Sequence, residues 1–251
     1  MIEPWLYPVL TGVAFVTGFI DAIAGGGGLI MMPALLVSGV PPLFALGTNK
    51  LQSMCGTFVA MRNYAAKGLI EWRPNLPTAL VVFAGAVSGA LLVQHVEART
   101  LALVIPLLLL ANAVYILVSP RMSDEDAHQR VSASGYAPLG GVIGLYDGFF
   151  GPGTGSFFTS TLVALRGYGL TRATALTKFF NWISNVAAVL LFAIGGKVLW
   201  LLGLNMAVGA MAGGWLGSHA AMRHGAKLIR PLLVTASIAM TGRLLWGYLS
   251  A

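Results

Sequence analysis

GFIDAIAGGGG, residues 18–28, returns as GLYDGFFGPGTG, residues 144–155, with Asp21 matched by Asp147. Two glycine tracts mean little alone, because Gly is frequent in membrane helices; the order of what surrounds them gives them weight. ALGTNK (45–50) is answered by ATALTK (173–178), GLIEW (68–72) by GKVLW (196–200) and GAVSG (85–89) by GAMAG (209–213). His95 then matches His219, and Pro106 matches Pro231. Short echoes in one order at nearly constant offset are the mark of an internal duplication. Residues 1–120 read as a first transmembrane repeat and 135–251 as a second. RMSDEDAHQRVSASG (121–135) holds the only extended polar stretch, and 121–134 is expected to be a solvent-exposed cytoplasmic linker.

Composition places these repeats in lipid. Of 251 residues 57% are apolar and 9% charged, against about 25% charged in an average soluble domain, so there is too little charge to cover a water-facing surface. The net charge of +7 would suggest nucleic acid in a soluble chain; here Lys and Arg are scattered through short connections, so they read as topology signals and no nucleic-acid partner is expected. The single cysteine, Cys55, excludes an internal disulfide. The start, MIEPWLYPVLTG, has no basic n-region and is expected to be retained.

Six apolar runs, 44–66, 77–95, 101–119, 171–194, 198–221 and 228–250, reach the ~20 residues of a spanning helix. The regions 5–38 and 137–166 are broken by the glycine tracts. If all eight segments span, the Lys and Arg of the connections divide almost evenly between the two faces. If both broken segments are re-entrant hairpins, only Arg99, Lys197 and Arg243 lie on one face and the remainder on the other, as the positive-inside rule requires. The expected fold is therefore an all-α polytopic membrane protein with six full spans and two glycine-broken re-entrant hairpins. Three spans per half turn the second copy upside down, giving inverted-topology repeats with both termini outside. The aromatic residues Trp5, Tyr7, Trp72, Trp200, Trp246 and Tyr248 are expected in interfacial belts, and His95 and His219 at the surface.

Non-helical backbone at membrane depth must be buried in protein or line a wet cavity. Gly25, Gly26, Gly27 and Gly28, and Gly151, Gly153, Thr154, Gly155 and Ser156, thus mark a candidate binding site. Where a helix resumes after Gly28 or Thr154, its first N–H groups lack intrahelical partners and favour an anion. Lys50 and Lys178 stand at equivalent places; they are read as snorkelling to an interface, or as counter-charges to a bound anion or to Asp21 and Asp147. The two aspartates are candidates for proton coupling or for structural ion pairs. Asn49, Gln52, Ser53, Thr177, Asn181 and Asn185 add polarity to otherwise apolar helices, serving ligand binding or interhelical bonding.

These residues resemble the TauE/SafE sulfite exporter family, also grouped as the 4-toluene sulfonate uptake permeases. DAIAGGGGLIMMPALL with ALGTNK, and DGFFGPGTGSF with ALTKFFNWISN, carry the resemblance over nearly the whole chain. ALTK lacks the asparagine of ALGTNK, so the halves are not identical there. The resemblance implies transport of sulfite, thiosulfate, organosulfonates or related compounds across a bacterial-type inner membrane, without a cofactor.

Tyr146-Asp147 and Pro33-Ala34-Leu35 also resemble elements of intramembrane aspartyl proteases, but the order is reversed and no GxGD segment exists, so no enzyme is expected. A passive anion channel remains the principal alternative to a carrier. No metal-ligand spacing or P-loop occurs in the sequence. Alternating access around the two glycine tips, driven by an ion or substrate gradient, is the expected mechanism.

Overall fold

The computed structural model describes residues 3–118 and 125–224. Nine helices make up the described residues: α1 (Leu6–Ala24), α2 (Gly28–Val37), α3 (Pro42–Ala66), α4 (Trp72–Gln94), α5 (Ala98–Val118), α6 (Ala133–Phe149), α7 (Thr154–Arg166), α8 (Leu170–Ile194) and α9 (Trp200–His224). Five of the six apolar runs are helices; the sixth, 228–250, lies outside the described residues, with Pro231, Arg243, Trp246 and Tyr248. Among the described residues three helices, α1, α4 and α8, are long and apolar enough to cross a membrane. Large apolar side chains such as Leu80, Ile194, Leu201 and Val208 point outward, which suits a lipid solvent.

The helix boundaries correct several sequence expectations. Helix α4 begins at Trp72 rather than 77: Pro74 sits in its first turn, where a missing N–H costs little, and Pro77 is accommodated inside the helix. The first glycine-broken region yields a 19-residue helix and a 10-residue one, the second helices of 17 and 13 residues. Helix α6 starts at Ala133, inside the expected linker, where the Ser132 hydroxyl accepts from the Gly135 N–H and caps it.

The linker does not float free. Ala127 donates to the Gly167 carbonyl at 2.7 Å, Arg130 and Val131 to Leu165 at 3.0 Å, and Asp126 accepts from the Gly169 N–H at 2.6 Å. Residues 126–131 are thereby strapped over the α7–α8 turn, satisfying carbonyls that the end of α7 leaves open.

Small residues decide the packing. Helix α1 lies chiefly along α9, and α4 along α6, so each pairing joins the first half of the chain to the second. A Cβ on Gly18 would stand 2.5 Å from the Ala210 carbonyl oxygen, and one on Gly144 2.5 Å from that of Val82. Gly85 and Gly89 press on Gly141 and Leu145, while Gly213 and Gly217 press on Phe15 and Phe19. Helices α3 and α8 pack against each other between these pairs.

Candidate functional site

The two helix breaks meet. The chain leaves α1 through Gly25 (φ 74°) and enters α7 from Gly153 (φ 86°), both in the left-handed region that an L side chain resists. A Cβ on Gly155 would lie 2.4 Å from the Gly25 Cα, and a Cβ on Gly28 3.1 Å from the Pro152 Cα. The Ser156 hydroxyl reaches the Ala24 carbonyl at 3.2 Å. Backbone touches backbone, and only glycine allows it.

Helices α2 and α7 start at this junction, so their positive ends point toward it. Leu29, Ile30 and Ser156 donate back to Gly26, Gly27 and Gly153. The Gly28 and Gly155 N–H groups donate to no protein acceptor among the described residues.

Ion pairs flank the junction, crossed between the halves. Lys50 of α3 donates to Asp147 Oδ1 of α6 at 2.7 Å and to Asn185 Oδ1 at 3.2 Å, while the Ser184 hydroxyl holds Asp147 Oδ2. Lys178 of α8 donates to Asp21 Oδ2 of α1 at 2.9 Å and to the Asp21 carbonyl, and the Gly27 N–H approaches Asp21 Oδ1 at 3.4 Å. Lys50 and Lys178 are 2% and 0% exposed, so the interfacial reading of these lysines is wrong. Each ammonium finds a carboxylate inside the protein and has no reason to snorkel.

A polar cavity of about 30 Å³, room for water-sized groups, opens beside these pairs. From the first half Asp21, Gly25, Gly28, Asn49, Lys50, Ser53 and Thr57 line it. From the second half come Asp147, Gly151, Gly153, Gly155, Asn181 and Asn185. The other sequence candidates stand behind the wall. Gln52 donates to Asn49 and Ser53, each at 2.9 Å; Thr154 donates to the Gly151 carbonyl; Ser156 and Lys178 bond as given above. Gly26 and Gly27 form the turn into α2.

Asn112 and Tyr146 escaped the sequence reading as site residues. Asn112 donates to the Tyr146 hydroxyl, which donates to the Pro152 carbonyl at 3.0 Å, so α5 braces the second break. An asparagine in the leucine-rich run of α5 was the available signal. His95 and His219 are exposed, each ring bonding the carbonyl four residues back.

The sequence profile described as Sulfite exporter TauE/SafE matches residues 10–244. The chain belongs to the sulfite exporter TauE/SafE family. Among its relatives, "Probable membrane transporter protein ORF9" of a Sinorhizobium species is 50% identical over 233 residues, covering 92% of this chain and 89% of the relative. "Probable membrane transporter protein YfcA" of Escherichia coli K12 is 42% identical over 247 residues, covering 98% and 92%. A "Probable membrane transporter protein" of Haemophilus influenzae is 43% identical, covering 96% and 95%. No solved structure matches the chain. Family membership and the apolar helices together make this TauE/SafE chain a membrane transporter.

Proposed function

We propose that this TauE/SafE protein is a multi-pass inner-membrane secondary transporter of small anions, most suited to sulfur oxyanions or organosulfonates. Its substrate sits at the junction of the two glycine breaks. The observation that carries this reading is the contact of Gly25 with Gly155 beside a polar cavity, with the free N–H groups of Gly28 and Gly155 in its wall. Fixed donors at two helix N-termini suit negative charge where lipid does not.

The proposal includes two inverted-topology repeats, 1–120 and 135–251, each with a re-entrant hairpin. The crossed lysine–aspartate pairs and the matched seats of Gly18 and Gly144 support it, since a pseudo-two-fold axis relates such contacts naturally. Rocking of one repeat on the other would expose the cavity to alternate sides.

The test is a melting-temperature screen of the purified protein with sulfite, thiosulfate, sulfoacetate, sulfate and carboxylates, followed by flux in proteoliposomes. A binding anion raises the melting temperature, and flux of that anion saturates. No stabilisation by any anion, and no flux, overturns the reading. Single-channel currents in place of saturable flux replace the carrier with a channel.

A further inference from the structure

We infer that the cargo is a singly charged anion carrying its own hydrogen-bond donor, and that Asn181 is the side chain that recognises this donor. The inference rests on the anion site proposed above and narrows its substrate class.

The first ground is charge. Lys50 and Asp147 cancel, as do Lys178 and the partly exposed Asp21, so the paired ionic groups beside the cavity sum to zero. What remains for a ligand is amide dipoles rather than a free cation. The cost of moving an ion out of water grows with the square of its charge, so a dianion loses about four times as much hydration as a monoanion. Dipolar donors without a net counter-charge therefore favour the monoanion.

The second ground is an orphan acceptor. Asn181 lines the cavity and is 6% exposed, yet of the cavity's polar side chains it alone makes no side-chain hydrogen bond among the described residues. Its neighbours are committed: Asn49 accepts from Gln52, Asn185 from Lys50, and Thr57 donates to the Ser53 carbonyl. A buried amide left unsatisfied is costly, so one that persists in a cavity wall calls for a partner from the ligand. An amide presents an acceptor as well as donors, whichever way it is turned. A ligand of acceptors only, such as sulfate or methanesulfonate, can answer the Asn181 NH₂ but not its oxygen. A protonated oxyanion such as hydrogensulfite, or a sulfonate bearing a hydroxyl, answers both.

These two sources share one chemistry, and the experiment separates them. Binding to the full chain in detergent is measured calorimetrically for sulfite across the pH range where hydrogensulfite loses its proton, and for 2-hydroxyethanesulfonate, methanesulfonate and sulfate at fixed pH. Sulfite affinity is expected to fall as pH rises, following the monoanion fraction, with 2-hydroxyethanesulfonate at least tenfold tighter than methanesulfonate and sulfate. A pH-dependent sulfite alone assigns the donor to the oxyanion's own proton; a strong 2-hydroxyethanesulfonate alone assigns it to the organic group. Asn181→Ala is expected to erase the preference for donor-bearing ligands while methanesulfonate binding stays within threefold. Equal binding of methanesulfonate or sulfate to the wild-type chain overturns the inference while leaving an anion site standing, and so does an undiminished preference in Asn181→Ala. Should that variant not fold, the wild-type ligand series decides alone. Failure of every anion to bind removes the underlying anion site as well.

Discussion

Lys50 reaches across the boundary between the halves to Asp147, 97 positions later, and meets its carboxylate at 2.7 Å with both side chains almost wholly buried. A buried pair of this kind gains little over an apolar pair but is costly to break from one side. Lys50→Met, which strands Asp147, is expected to destabilise the protein by ~3–5 kcal/mol, and Lys50→Met with Asp147→Leu to recover more than half of that. Unfolding in detergent measures both. A single variant within about 1 kcal/mol of wild type would show that the pair is not intact in the protein.

The junction of the breaks predicts a contrast among glycines. Gly155→Ala drives a methyl into the Gly25 backbone, and Gly25→Ala adds a strained left-handed residue. Both are expected to abolish transport and lower the melting temperature. Gly12, in mid-α1 with nothing within 4 Å of its would-be Cβ, is the control: Gly12→Ala is expected to stabilise by about 0.5–1 kcal/mol. Equal loss in all three would mean that the junction has no special status.

Arg172 bridges Glu71 of the first half and Asp126 of the linker, but side-chain exposures of 34%, 53% and 57% leave this cluster to water and salt. Arg172→Gln is expected to change stability by no more than ~1 kcal/mol. A drop comparable to that of Lys50→Met would reveal a far drier environment than the structure shows.

Topology is open to labelling. In a Cys55→Ala background, Glu3→Cys and Val37→Cys place thiols at the exposed start of α1 and exposed end of α2. Re-entrant hairpins predict that a membrane-impermeant maleimide labels both from the same face. Labelling from opposite faces makes the broken segment a full crossing.

Much of this arrangement could be read from residue order, since hydropathy fixes the long helices and a glycine tract flanked by apolar runs has few homes in lipid. Asp21, Lys50, Asp147 and Lys178 were visible as out-of-place charges. Their partnership was not, because nothing local tells Lys50 that its carboxylate lies in the other half. The same holds for the wall: Asn49 and Gln52 share a helix and look alike in sequence, yet Asn49 faces the cavity while Gln52 turns to hold its neighbours. Asn112 stayed hidden because its function depends on Tyr146 and Pro152, which reach it only through tertiary packing.

The seat of Gly18 on Ala210 has a bearing on biogenesis. Helix α1, the first of the described helices, docks onto α9, the last of them, so it must wait in the bilayer, without that partner, while the chain between them is synthesised. Neither half supplies the surfaces that its own first or fourth helix needs, and a fragment ending at the linker would present glycine-rich grooves to quality-control proteases. Two separately expressed halves, by contrast, carry complementary faces, and their co-insertion would rebuild the interlocked whole.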